Sequence, residues 1–117
     1  MKYYLAVFFL LCAGINGVAV AGESNLKTID SLSQLAGMAD YCVGVFEDTG
    51  DLANYQILRS EDARLSSYIA SLLSSETEAN IARLSRLEGL KHYQELFAGD
   101  TVACKNLVRT LSLVKTN

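Results

Sequence analysis

Apolar residues recur every three or four positions along most of this chain, a spacing typical of helices that bury one face. Thr28 suits the start of the clearest such segment, and Gly50 lies where a left-handed residue would end it. The pattern predicts a first helix over residues 28–46. Its apolar stripe consists of Ile29, Leu32, Leu35, Ala36, Ala39, Cys42, Val43 and Phe46.

The polar segment 47–51 separates this helix from a second one, which begins near Asp51 or Ser60 and runs to about Ser74. Ser75 and Glu78 match the S-x-x-E capping box, which predicts that a third helix starts there. No Gly or Pro interrupts the chain at Ser74. One long bent helix over residues 60–97 is therefore the alternative.

The third helix carries apolar residues at intervals closer to three than to 3.6, so its stripe winds around the axis. Such a helix should touch more than one neighbour. Its apolar residues are Ile81, Leu84, Leu87, Leu90, Tyr93, Leu96 and Phe97. Asp100 is expected to cap a last helix whose apolar face is Cys104, Leu107, Val108, Leu111 and Val114. The predicted fold class is all-α, a small bundle of three to four antiparallel helices.

The first 21 residues have the order of a secretory signal peptide. Lys2 precedes an apolar run over residues 5–13, and small residues follow at Ala19 and Ala21. Such residues fit the narrow pocket of signal peptidase, so cleavage is expected between Ala21 and Gly22, with Ala19 the nearest competing site. The mature protein would be a single helical domain over residues 22–117, in the periplasm or outside the cell.

Two other interpretations of this segment, a retained membrane anchor and a lipoprotein signal, have less support in the sequence. A retained anchor needs about 20 apolar residues, and the sequence Gly-Ile-Asn-Gly at positions 14–17 interrupts the run. A lipoprotein would be cleaved before Cys12, but the bulky Leu11 stands where a small residue should precede that cysteine. No stable membrane span is expected after cleavage.

Two cysteines, Cys42 and Cys104, remain once the signal is removed. An exported chain with an even number of cysteines is expected to pair them. Both lie on the apolar stripes of their helices, so a bridge would join the first helix to the last. Such a crosslink suits a domain too small to bury a large core.

The distribution of charge along the chain indicates which kinds of partner the protein could bind. The net charge is −3, with acidic residues dominant before residue 83 and basic ones after it. An acidic chain without a basic stripe is not expected to bind nucleic acid. The asymmetry is best explained by pairing between packed helices; the alternative is an exposed interaction surface that includes Arg83, Arg86 and Arg109.

No motif predicts catalysis, a cofactor or a metal. Ser24 and Lys27 match S-x-x-K, which contains the nucleophile of penicillin-recognising enzymes. The two companion motifs and the larger α/β body of those enzymes are missing here. His92 is the single histidine, and two flanking glutamates fall short of a zinc ligand set. The acidic turn from Asp48 lacks the oxygen ligands and glycine of a calcium loop.

These observations favour a small exported protein that is not an enzyme and acts by contact with another protein. A chaperone, an inhibitor or an immunity-type binder would fit this description. The alternative is an accessory or toxic factor linked to a cell-envelope machine, such as a conjugation or secretion apparatus. A carrier of a small ligand in the bundle core is a further possibility.

Overall fold

A computed structural model describes the backbone of residues 16–116 and the side chains of residues 25–116. The described chain forms four helices and no strand: α1 (Asn16–Thr49), α2 (Leu52–Leu72), α3 (Glu76–Phe97) and α4 (Thr101–Ser112). The predicted all-α bundle is confirmed. Residues 1–15, most of the predicted signal peptide, lie outside the described part of the chain.

The first helix is longer than predicted. It begins by Asn16 rather than at Thr28, which lies in its interior. Between the two residues the chain offers no proline, so nothing forces the backbone to leave the helix. A side chain that suits a cap does not create a helix end where the neighbouring residues are also helical.

The other helix ends follow from local side-chain chemistry. Asp51, Ser75 and Asp100 are the N-caps of α2, α3 and α4, and each accepts a hydrogen bond from a backbone N–H of the first turn. Helix α2 ends at Leu72 and α3 begins at Glu76, so the single bent helix over 60–97 is excluded. Glu78 bonds the backbone N–H of Ser74 instead of that of Ser75, so the capping box is displaced by one residue.

The long helix α1 is the centre of the bundle and packs against the other three helices. Asn25 near the start of the described side chains bonds the Leu72 carbonyl at the end of α2, so these two helices are antiparallel. The core lies mainly between α1, α2 and α4. It consists of Ala36, Ala39, Cys42, Val45, Phe46, Leu58, Leu65, Ile69, Cys104, Leu107 and Leu111.

A disulfide and an arginine side chain help to hold α4 in place. Cys42 and Cys104 form the predicted disulfide, with a Cα–Cα distance of 5.4 Å and both residues fully buried. At the other end, the Arg64 guanidinium of α2 donates to the carbonyl oxygens of Leu111 and Val114, each at 2.8 Å. Because the last carbonyls of a helix lack partners within it, Arg64 supplies them from a neighbouring element.

The packing of α3 differs from the prediction. It lies mainly against α1, and its principal links to the other helices are side-chain bonds. The leucines of its winding stripe do not all face inward: Leu84, Leu87 and Leu96 are each more than half exposed. Small residues on the opposite face make the closest contact with α1 instead.

Candidate functional site

The inner face of α3 approaches α1 at two glycines. A Cβ atom on Gly37 would lie 2.7 Å from the Leu90 nitrogen, and one on Gly89 would lie 2.8 Å from the Gln34 carbonyl carbon. Both distances are shorter than real side chains tolerate, so the two backbones meet where side chains are absent. Glycine at these positions allows the short distance between the backbones of α1 and α3.

Polar contacts beside the glycines set the direction of α3. Ser85 donates a hydrogen bond to Asp30, and Gln34 bonds the same carboxylate at 3.2 Å. The residue numbers of the contacting pairs increase in the same direction along both helices, from Asp30 with Ser85 to Gly37 with Leu90. Helices α1 and α3 are therefore parallel, as expected when consecutive helices alternate in direction.

Arg86 joins α3 to both α1 and α2. Its guanidinium bonds Asp40 of α1 at 2.6 and 2.8 Å and Asp62 of α2 at 3.1 and 3.2 Å. It also donates to the Ser66 hydroxyl of α2 at 2.9 Å. One cation thus bonds two carboxyl groups at the point where three helices meet. We call Asp40, Asp62, Ser66 and Arg86 the charge cluster.

The two carboxylates of the charge cluster titrate differently. Burial and the nearby Asp40 raise the pKa of Asp62 to about 7, against the attraction of Arg86. Burial acts in the same direction on Asp40, but hydrogen bonds from Arg86 and Asp62 outweigh it and lower the pKa of Asp40. The cluster therefore holds one ionised carboxylate and one that gains a proton near neutral pH.

We expect the free energy of unfolding to fall as pH rises from about 4 to about 7. In that range the folded protein keeps a proton on Asp62 that the unfolded chain has lost, because the pKa of Asp62 is higher in the folded state. After allowance for solvent screening at a side chain that is 15% exposed, the fall should be about 1–2 kcal/mol. Urea unfolding at several pH values measures it.

Asp62→Asn should remove this slope, since the amide stays neutral throughout the range. Asp48→Asn, an exposed change in the same acidic half, is the matched control and should leave it in place. The groups that face Asp62 are Asp40 of α1, Arg86 of α3 and Arg59 of its own helix. An unchanged slope in Asp62→Asn would contradict the assignment.

The outer face of α3, opposite α1, is apolar at its centre and charged at its edge. Leu84 and Leu87 are 56% and 52% exposed. They line a shallow groove of about 450 Å³ together with Glu88, Lys91, His92 and Glu95. Helical geometry places Glu88 and Glu95, two turns apart, along the same edge of the leucine pair. We call these six residues the outer face.

The three arginines considered as an interaction surface have different environments. Arg86 is half-buried in the charge cluster and pairs with acids of the first half of the chain, as expected for internal charge pairing. Arg83 is exposed on α3, and Arg109 is exposed on α4, where it bonds Asn106 of its own helix. Within residues 25–116, no hydrogen bond or ion pair joins any two of them.

The remaining candidates gain no chemistry from the fold. Ala19, Ala21 and Gly22 lie within the helical backbone of α1. His92 is exposed beside Glu88 and Glu95 on the outer face. The described residues contain no group of three or more His, Cys, Asp or Glu side chains arranged to hold a metal ion.

Sequence reasoning missed the charge cluster because its members are far apart in the chain and each looks like an ordinary surface charge. One signal was available. Asp40 lies beside the apolar stripe of α1, between Ala39 and Cys42, where a charge at the edge of the core needs a partner. The sequence did not indicate which arginine would supply it.

Comparison of the chain with protein-family models, curated proteins and solved structures gives no significant match. Among the described residues, no helix is long and apolar enough to cross a membrane. Functional inference therefore depends on the geometry of the molecule itself.

Proposed function

We propose that this chain is an exported, non-enzymatic helical protein that works by binding another protein through the outer face of α3. The observation that carries the proposal is the pair Leu84 and Leu87, which the bundle leaves uncovered although the same helix is anchored firmly on its other side. An anchored helix offers a partner a rigid surface with little entropy to lose.

Export is supported by two features. The N-terminal segment has the order of a signal peptide. The buried Cys42–Cys104 disulfide is the kind of crosslink that persists in oxidising compartments. Under this proposal the mature protein begins at Gly22 and resides in the periplasm or outside the cell. The intact mass of the exported form would show whether cleavage precedes Gly22.

The charges of the outer face favour a foreign partner over a second copy of the chain. In an antiparallel pair of identical helices, the same edges face each other. Each copy would then bring two glutamates, Glu88 and Glu95, and one lysine, Lys91, to the contact, so both surfaces would carry an excess of negative charge. A better occupant is an amphipathic helix of another protein, with two apolar residues one turn apart and two basic residues seven positions apart.

The proposal is tested by photo-crosslinking in the native envelope. A photoreactive residue at position 91, which also belongs to the outer face, should capture one protein, and the crosslink should map to an amphipathic, basic helix. Leu84→Ser with Leu87→Ser should weaken capture by about 10- to 100-fold. Only about half of each leucine is left for a partner to bury, so each contributes roughly 0.7–1.5 kcal/mol. Glu88→Lys with Glu95→Lys should weaken it as well.

Leu52→Ser is the matched control, because Leu52 is a similarly exposed leucine at the start of α2. It should leave capture unchanged. All these positions are at the surface, so the free energy of unfolding of each variant should lie within about 0.5 kcal/mol of that of the parent. Capture that survives loss of both leucines, or a crosslinked product made of two copies of this chain, would overturn the proposal.

A further inference from the structure

Helices α1 and α3 separate from each other after their close crossing. At Gly37 the two backbones are in contact, because a Cβ atom there would lie 2.7 Å from the Leu90 nitrogen. Gly44 lies about two turns further along the same face of α1, yet a Cβ atom there meets nothing within 4 Å. An open groove of about 380 Å³ occupies the space between the helices, and we call it the wedge groove. Its lining includes Asp40, Tyr41, Gly44, Val45 and Asp48 of α1, and Leu90 of α3.

Gly44 has no explanation in the packing of the bundle. Of the other glycines within residues 25–116, Gly37 and Gly89 lie at the close crossing, and Gly50 and Gly99 have a positive φ. Gly44 is helical and faces open space, so it lowers helix propensity without relieving any contact. What the missing side chain does is keep the wedge groove open.

The charges of the wedge groove favour a cation. Asp48 is exposed in the last turn of α1, where the negative end of the helix dipole disfavours a carboxylate and no basic residue compensates. Within residues 25–116 no hydrogen bond or ion pair engages its side chain. Asp40 differs, because it is already bonded to Arg86. The described residues that line the groove include no lysine or arginine.

The rest of the lining is apolar. Val45 and Leu90 provide hydrocarbon surface beside Gly44. The groove is closed at its Gly37 end, where the backbones touch, so an extended peptide cannot run through it. Since a cavity of about 150 Å³ admits benzene, the groove has room for a small organic molecule that enters from the open end. The described residues offer no group of side chains that could hold a metal ion.

We propose that the wedge groove binds a small primary amine with an aliphatic chain. The ammonium group of the ligand pairs with Asp48, and its carbon chain lies over Gly44 against Val45 and Leu90. A molecule of this class supplies the missing countercharge and covers the apolar surface at once. A neutral alcohol leaves Asp48 unpaired, and a fatty acid brings a second negative charge to it.

The test is a titration of the purified, oxidised protein at neutral pH, followed by amide chemical shifts. The probes are hexylamine, hexan-1-ol and hexanoate, which share one chain and differ in charge. We expect hexylamine to bind about fivefold more tightly than hexan-1-ol, the upper end for an exposed ion pair, with shifts centred on Gly44 and Asp48. Hexanoate should bind more weakly than either. Methylamine, which lacks the chain, should bind at least about tenfold more weakly than hexylamine.

Variants separate the charge from the groove. Asp48→Asn should abolish the preference for hexylamine over hexan-1-ol. Glu76→Gln removes the same charge at the opposite end of the bundle and should leave the preference unchanged. Gly44→Leu should fill the groove and remove the shifts with both probes. The fold should survive this change, because leucine favours a helix and the added side chain has free space.

Three outcomes would overturn the proposal. Absence of shifts at the groove with every probe would mean that it binds no ligand of this class. Shifts with hexylamine that persist in Gly44→Leu would mean that amines associate with the acidic surface only. Tighter binding of Nα-acetyl-lysine methylamide than of hexylamine would assign the groove to a lysine side chain of another protein. None of these outcomes bears on the outer face, so the proposed function is tested separately.

Discussion

Removal of the Cys42–Cys104 disulfide by the double change to alanine is expected to lower the free energy of unfolding by about 4 kcal/mol, which corresponds to a fall of roughly 20 °C in Tm. The bridge closes a loop with a sequence separation of 62 residues, so its loss frees a large part of the unfolded chain. It also removes two sulfurs from the core between α1 and α4, where both cysteines are fully buried. Thermal and urea unfolding measure the effect.

The matched control for this prediction is the parent protein after reduction, in which the side chains stay and only the crosslink is lost. It should reproduce most of the fall. Alkylation of the unreduced protein should label neither Cys42 nor Cys104. Equal unfolding midpoints for the oxidised and reduced forms would show that the bridge contributes nothing to stability.

Gly37→Ala and Gly89→Ala are each expected to destabilise the protein by about 3 kcal/mol, the upper part of the usual range for overpacking. The added methyl group at either position meets backbone atoms of the facing helix, which cannot rotate away as a side chain can. Helices α1 and α3 must then separate, which weakens the bonds of Arg86 to Asp40. Urea unfolding of each variant measures the loss.

Gly44→Ala is the control, because Gly44 lies in the same helix and a Cβ atom there meets nothing within 4 Å. It should stabilise the protein by about 0.5–1 kcal/mol, since alanine favours the helix without a clash. The same substitution in one helix should therefore have opposite signs at two positions. Equal effects at Gly37 and Gly44 would disprove the close crossing of α1 and α3.

The sequence was sufficient for those features that depend on local chemistry or on strong periodicity. The four helices, the caps at Ser75 and Asp100, and the disulfide partners followed from short patterns of this kind, and Asp51 caps α2 at one of the two starts expected for it. Gly50 was expected to be left-handed, and its φ is 76°. In each case one residue type has a strong preference that its neighbours do not oppose.

The seating of α3 could not be predicted in this way. Hydrophobic periodicity gives most weight to leucines, and it therefore assigned Leu84 and Leu87 to the interior. The helix is instead held by close backbone approach at Gly37 and Gly89, a contact that requires the absence of side chains. A glycine inside a helix, such as Gly37, indicates only a local loss of helix propensity when the sequence is read alone. Small residues reveal a helix crossing only when the facing helix is known.

The disulfide also determines how the elements are connected covalently. Residues 42–104 form a closed ring that contains all of α2 and α3, while most of α1 and of α4 extend from it as two tails. A single peptide bond broken inside the ring, for example in the turn at Ser74, leaves the two pieces joined to each other through the disulfide. A break in either tail releases a fragment at once. The helix that carries the outer face is therefore part of the segment that one proteolytic cut cannot detach.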